Sequence, residues 1–173
     1  MGANLLSYVV RLELMAFFAG YPLLYTVLHL WKGEMHRKKA GDFPGRLADL
    51  LPYGYALSGL LFLGLVLKNL YPDYSFHHIS LQFQANYLRV WGLLSLLFWI
   101  PALPSKGTFS LLHSVVFFAL LLWDILLQIN GVLGKELLAN DMKIYTISLL
   151  LQVVTFLCIA LGYFLFLTFK TKR

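Results

Sequence analysis

The chain has 173 residues, of which 60% are hydrophobic and 13% are charged. Soluble domains are typically about half apolar and about a quarter charged, so this composition excludes an ordinary water-soluble fold. The net charge of +6 does not indicate nucleic-acid binding, because the basic residues concentrate in one loop and at the C-terminal end. We therefore expect a lipid bilayer to surround most of the chain, as a single integral membrane domain over residues 1–173.

The apolar segments predict an all-α bundle of five membrane-spanning helices. A spanning helix needs about 20 mostly apolar residues. In chain order, we expect the helices at about 4–31, 51–71, 87–103, 108–130 and 143–169, with a polar loop over 32–50. Pro22 is expected to kink the first helix. Asn140 or Asp141 is expected to cap the N-terminus of the last helix.

The third segment is the shortest of the five and could instead re-enter the membrane on one side. Its uninterrupted apolar stretch runs only from Val90 to Ile100. The distribution of Lys and Arg separates the alternatives, because cytoplasmic loops are enriched in both. Setting aside Arg11 within the first helix, five crossings place nine basic residues on one side and four on the other, whereas a re-entrant segment gives seven and six. We therefore predict five crossings, with the N-terminus outside and the C-terminus cytoplasmic.

The charged side chains of the predicted helices gather in what would be the outer half of the membrane. A charge in hydrocarbon costs about 2.5–3.5 kcal/mol on insertion scales, and a partner of opposite charge lowers that cost. Asp124 is the deepest of these residues and has the greatest need for a partner. The candidate polar cluster consists of Asp124, Lys68, Arg89, Arg11, Glu13, Gln128 and Gln152. Lys68, Arg89 and Arg11 are the candidate cations for Asp124.

Two polar stripes follow the periodicity of a helix face. The fourth helix carries His113, Phe117, Asp124 and Gln128, and the fifth carries Tyr145, Ser148, Gln152 and Thr155. We expect the two stripes to face each other, with Asp124 near Gln152. Two interpretations of the cluster stay open. It could be an internal salt bridge that fixes helix register, or an outward-open pocket for an ion, a lipid headgroup or a small solute.

No pattern in the sequence indicates a catalytic residue, a metal site or a cofactor. His77 and His78 are adjacent, so on a helix their side chains point about 100° apart, and no further ligand has a suitable spacing. His29 and His113 could ligate a haem from two helices, but they would lie at different depths. Phosphate-binding loops and zinc-protease motifs are missing from the sequence. We therefore expect no metal and no cofactor.

These observations favour a non-catalytic multi-pass protein of a bacterial inner membrane. We expect a small subunit or scaffold of a membrane assembly, whose partner is another membrane protein or a second copy of the chain. The basic run Arg37, Lys38 and Lys39 sets the topology and could also contact anionic lipid or a partner. The alternative is a transporter or channel for an ion or small solute that uses intramembrane Asp124. A third possibility is a membrane enzyme acting on lipid through the acidic residues and histidines.

Overall fold

The computed structural model of the chain describes residues 11–37, 43–72, 74–75, 79–80, 87–100, 107–130 and 136–171. Within these ranges 94% of the residues are helical and none is in a strand. Four helices in this part of the chain are long and apolar enough to cross a membrane: Arg11–Glu34, Gly45–Leu70, Gly107–Ile129 and Asn140–Lys170. The prediction of an all-α protein with several membrane helices is therefore confirmed.

The first of these spans consists of two helices joined by a tight break. Helix α1 covers residues 11–18, the chain turns at Ala19 and Gly20, and helix α2 covers Tyr21–Arg37. Pro22 lies in the first turn of α2. Backbone N–H groups in the first turn have no acceptor within the helix, so the N–H that proline lacks is not needed there. The expected kink at Pro22 is thus an interruption just before it.

The predicted polar loop over 32–50 is largely helical. Helix α2 continues to Arg37, and helix α3 covers Phe43–Leu70. Of the basic run, Arg37 ends α2, whereas Lys38 and Lys39 lie outside the described residues. In its most apolar 18-residue stretch, 56% of α3 is buried inside the protein, more than in the other three long helices. Helix α3 is therefore the central helix of the bundle.

The third predicted span is shorter than expected. Helix α4 covers Tyr87–Leu93 and continues directly as a 3-10 helix over Leu94–Trp99. At about 1.5 and 2.0 Å per residue, the two pieces together extend about 22 Å. The hydrocarbon core of a bilayer is about 30 Å thick. Five complete crossings therefore remain a prediction.

The last two helices complete the bundle. Helix α5 covers Gly107–Ile129 and helix α6 covers Glu136–Thr171. Because α6 begins before Asn140 and Asp141, neither residue caps it, and that prediction is wrong. Helices α3 and α6 run antiparallel: Ser58 contacts Gln152, whereas Gly54, one turn before Ser58, contacts Phe156, one turn after Gln152.

Aromatic side chains fill the core where α1, α2, α3 and α5 meet. The ring of Phe18 stacks on that of Phe117, with ring centroids 4.9 Å apart, and meets Phe62 edge-on. Gly20 allows α6 to approach closely, since a Cβ atom on Gly20 would lie 2.5 Å from the backbone nitrogen of Leu149. This packing fixes the spacing between the α1–α2 break and α6, and so positions the polar groups on either side.

Candidate functional site

One end of the bundle holds a buried set of charged and amide side chains, here called the charged cluster: Arg11, Asp124, Gln128 and Asp141. Arg11 Nη2 donates a hydrogen bond to Asp124 Oδ1 over 2.7 Å. The side chain of Asp124 is 6% exposed, whereas that of Arg11 is 31% exposed. Of the three candidate cations for Asp124, the structure pairs it with Arg11.

Gln128 and Asp141 connect the ion pair to α6. Gln128 follows Asp124 by four residues, so the two side chains lie on the same face of α5. Gln128 Nε2 donates a hydrogen bond to Asp141 Oδ2. The carboxylates of Asp124 and Asp141 are close enough for their charges to interact. Asp141 was not among the predicted members of the cluster, because an acidic side chain at the expected start of a helix needs no further explanation.

The charged cluster contains acceptors that have no donor. Asp124 Oδ2, Gln128 Oε1 and Asp141 Oδ1 are buried without a hydrogen-bond partner among the described residues, and so is Arg11 Nε. Buried polar atoms in folded proteins nearly always have a partner. Two carboxylates and one guanidinium also leave the cluster with an uncompensated formal charge of about −1. The arrangement is suited to hold a positively charged group that donates hydrogen bonds.

A second buried set of polar side chains is uncharged and is here called the neutral network: Tyr21, Tyr55, Trp91, Ser110 and His113. His113 Nε2 lies 2.7 Å from the backbone oxygen of Trp91, and His113 Nδ1 lies 2.6 Å from the Tyr55 hydroxyl. Because a carbonyl oxygen can only accept, Nε2 carries the proton and Nδ1 accepts from Tyr55. The indole of Trp91 stacks on the imidazole of His113 at 5.0 Å.

Tyr21 and Ser110 continue the neutral network toward the other end of α5. Ser110 Oγ donates to the backbone oxygen of Gly107 over 2.8 Å. The Tyr21 hydroxyl therefore donates to Ser110 Oγ, over 2.7 Å. The network joins α2, α3, α4 and α5 through paired groups. Since both ring nitrogens of His113 are bonded within the protein, a haem ligand role for His113 would require breaking these bonds.

Gln152 does not meet Asp124. Its Nε2 donates to the backbone oxygen of Phe17 over 2.6 Å and to Ser58 Oγ over 3.0 Å. The apolar span of α6 begins at Asn140, earlier than predicted. Gln152 lies about 18 Å along the helix from Asn140 and is therefore deeper in the membrane than Asp124. Asp141 is the α6 residue that comes level with Gln128.

Both predicted polar stripes nevertheless face the interior of the bundle. His113, Phe117, Asp124 and Gln128 are buried on α5, and Ser148, Gln152 and Thr155 are buried on α6, with Tyr145 half-buried. Ser148 Oγ accepts a hydrogen bond from the backbone N–H of Gly20 over 2.8 Å. This bond satisfies a donor that the α1–α2 break leaves outside the helical pattern. The periodicity of the sequence was therefore sufficient to identify the buried faces, although not the pairs formed across them.

The remaining predicted members of the cluster lie apart from Asp124. Lys68 is exposed near the end of α3. Arg89 is buried, with 8% exposure, at the start of α4. Its charge interacts with that of Glu13 on α1. The structure thus places Asp124 and Gln128 with Arg11 and places Arg89 near Glu13, while Lys68 and Gln152 lie elsewhere.

The architecture defines the class of this protein as α-helical and multi-pass in the membrane, since several of its helices are long and apolar enough to span. In the part of the chain that the structure describes, no three His, Cys, Asp or Glu side chains are arranged to hold a metal ion. His77 and His78 lie outside the described residues. Comparisons with known protein families, with curated proteins and with solved structures find no match to this chain.

Proposed function

We propose that this protein is a non-catalytic subunit or scaffold of an assembly in a bacterial inner membrane. The observation that carries the proposal is the poor coverage of the last helix. In its most apolar 18-residue stretch, only 22% of the span Asn140–Lys170 is buried inside the protein, compared with 56% for Gly45–Leu70. A long helix that packs so little against its own bundle leaves most of its surface free to contact another membrane helix.

The C-terminal half of α6 has the features of a helix-packing surface. Its exposed large side chains include Leu157, Leu161, Leu165, Phe166 and Phe169. Gly162 lies among them with nothing within 4 Å of the position that a Cβ would take. Association of membrane helices depends on van der Waals packing, and small residues allow the backbones to approach. We propose that a helix of a partner protein, or α6 of a second copy, packs here.

Cys158 provides a direct test, because it is exposed on this part of α6 and is the single cysteine of the sequence. A photoreactive maleimide attached to Cys158 in native membranes should give discrete protein adducts. In a control variant, Cys158→Ser with Leu112→Cys moves the probe to the exposed face of α5, where Leu112 is 66% exposed. Adducts with lipid alone at position 158 would contradict the proposal.

Gly162→Leu tests the same surface without a probe. A leucine at this position would block close approach of a second helix, while the open space around Gly162 should leave the fold of the chain intact. We expect the Cys158 adducts to be lost in this variant. Gly64→Leu is the matched control, since Gly64 also has nothing within 4 Å but lies on α3.

We also propose five crossings with the N-terminus outside. The proximity of Gly107 to Tyr25 and Pro52 supports this topology, because Pro52 lies nearer to the start of α3 than to Leu70. This position favours a crossing of the chain between Leu70 and Gly107. In sealed vesicles, tags at the two termini of the protein should be labelled from opposite faces of the membrane. Labelling of both termini from one face would contradict five crossings.

The second candidate function is transport of an ion or a small solute through the charged cluster. The buried ion pair Arg11–Asp124 and the unpartnered oxygen atoms beside it support this alternative. Asp124→Asn keeps the shape of the side chain and removes its charge. A flux measured in liposomes should then be abolished, whereas Asp49→Asn, which changes an exposed carboxylate near the start of α3, should leave it unchanged.

A further inference from the structure

The side chains that carry the unpartnered atoms of the charged cluster are neighbours in the fold. Asp124 and Gln128 are neighbours on one face of α5, and the amide nitrogen of Gln128 already bonds the carboxylate of Asp141. The oxygen atoms left over are Asp124 Oδ2, Gln128 Oε1 and Asp141 Oδ1. These three residues are 4%, 2% and 0% exposed, respectively, so water does not solvate them freely. Among the described residues, the group therefore presents three acceptors without a donor, and its two carboxylates share one cation, Arg11.

A primary ammonium group matches this requirement. It carries one positive charge and three N–H donors, and it has no acceptor that would need a further partner. A quaternary ammonium supplies the charge without any donor. A secondary or tertiary ammonium falls between the two. The number of donors, rather than the charge alone, therefore distinguishes the groups that the cluster can satisfy.

The position of the cluster indicates where such a group would come from. Gln128 is next to the last residue of the span Gly107–Ile129, and Asp141 is the second residue of the span Asn140–Lys170. The end of one membrane span and the start of the next lie at the level of the lipid headgroups. Arg11 is 31% exposed, which opens the cluster to its surroundings. Arg11 Nε has no hydrogen-bond partner among the residues that the structure describes. Guanidinium groups bind phosphate oxygens well.

We propose that the charged cluster binds the headgroup of phosphatidylethanolamine. The ammonium group donates to Asp124, Gln128 and Asp141, and the phosphate accepts from Arg11 at the exposed edge of the cluster. The proposal concerns the same residues as the transport alternative, but it requires no movement of a solute across the membrane. It is also independent of a partner at α6.

A series of N-methylated lipids tests the proposal on the unmodified protein. The delipidated protein is reconstituted in nanodiscs of phosphatidylcholine, mixed in separate samples with phosphatidylethanolamine or with its N-methyl or N,N-dimethyl derivative. The charge stays constant along the series, while each methyl group removes one N–H donor. We expect retention of the added lipid, measured by native mass spectrometry, to fall about tenfold with each donor lost. Equal retention of all headgroups would overturn the proposal.

Two variants assign the effect to the cluster. Asp141→Asn and Gln128→Leu should each lose the preference for phosphatidylethanolamine over phosphatidylcholine. Asp49→Asn is the control at an exposed carboxylate and should retain the preference. Preference retained in both cluster variants would overturn the assignment. If either variant fails to fold, the methylation series on the unmodified protein still decides the proposal.

Soluble phosphoethanolamine separates a lipid from a free amine. Added to phosphatidylcholine nanodiscs, it should compete only weakly, because it lacks the acyl chains that hold the headgroup at the cluster. Full competition would overturn the assignment to a lipid. Transport is distinguished in the same preparation: a headgroup preference without flux supports this proposal alone, and flux without a headgroup preference contradicts it while leaving transport intact.

Discussion

The charged cluster and the neutral network are both buried and polar, but they differ in whether their hydrogen-bonding groups are paired. In the neutral network, His113 uses both ring nitrogens, and the hydroxyls of Tyr21 and Tyr55 each have a partner. In the charged cluster, Asp124, Gln128 and Asp141 each retain one buried oxygen atom that has no partner in the part of the chain that the structure describes. The first set is complete within the protein, whereas the second has capacity for another molecule.

This difference separates two roles for polar groups inside a membrane protein. Interhelical hydrogen bonds of neutral groups add modest stability and specify which helices meet. Ionisable groups are more expensive to bury, and they commonly mark a pathway or a binding site. Substitutions in the neutral network should therefore change stability alike in every lipid. Substitutions in the charged cluster should change stability and lipid preference together.

The largest effect is expected for Arg11→Leu, which leaves the buried carboxylate of Asp124 without its cation. Removing one partner of a buried ion pair costs about 3–5 kcal/mol, and the partial exposure of Arg11 favours the lower end. Replacing Asp124 by leucine in the same chain should restore most of the lost stability, because the carboxylate that lost its bonded cation is then removed. The measurement is a double-mutant cycle of unfolding free energies in mixed micelles. A double variant as unstable as Arg11→Leu would show that the pair does not act as a unit.

His113→Leu should be the next most damaging change. It leaves the Tyr55 hydroxyl and the backbone oxygen of Trp91 without partners. Each buried orphan costs about 1–3 kcal/mol, and with both near the lower end of this range we expect a total loss of about 2–3 kcal/mol. The loss should be the same in phosphatidylcholine and in phosphatidylethanolamine nanodiscs. His29→Leu changes an exposed histidine and serves as the control. A loss of stability in His113→Leu that depends on the lipid would contradict the distinction between the charged cluster and the neutral network.

Gly20→Ala should disturb both regions, because Gly20 lies between them at the contact with α6. The added Cβ would lie 2.5 Å from the nitrogen atom of Leu149, so the helices must separate. Overpacking of this kind costs about 1–2 kcal/mol at a site that can relax. Thermal unfolding compares this variant with Gly64→Ala, where nothing lies within 4 Å. Equal midpoints for the two variants would mean that the close approach at Gly20 is unimportant.

Tyr55→Phe should have the smallest effect. It removes the hydroxyl that donates to His113 Nδ1 and leaves the ring in place. The loss of one neutral hydrogen bond costs about 1 kcal/mol. Tyr87→Phe is the matched control, since Tyr87 is 80% exposed. If both substitutions reduce the unfolding free energy equally, the Tyr55–His113 bond contributes nothing beyond the loss of a hydroxyl.

Much of the candidate site could be read from the sequence because helical periodicity identifies buried faces. Asp124 and Gln128 belonged to the predicted α5 stripe, and Arg11 was among the candidate cations. Asp141 and the tyrosines could not be predicted as members of the two sets. A tyrosine or an acidic residue near a helix end is compatible with an interfacial position, and sequence periodicity carries no information on which residue of another helix lies opposite.

The sequence by itself determined the all-α class and its apolar membrane-spanning helices, because apolar length and composition act locally along each helix. The tertiary structure decided that Arg11 pairs with Asp124, that Asp141 rather than Gln152 completes the charged cluster, and that α4 is short. These features depend on the relative axial positions of different helices. A shift of α6 along its axis by a few residues would change every pair across its interface. Local sequence does not set that axial position.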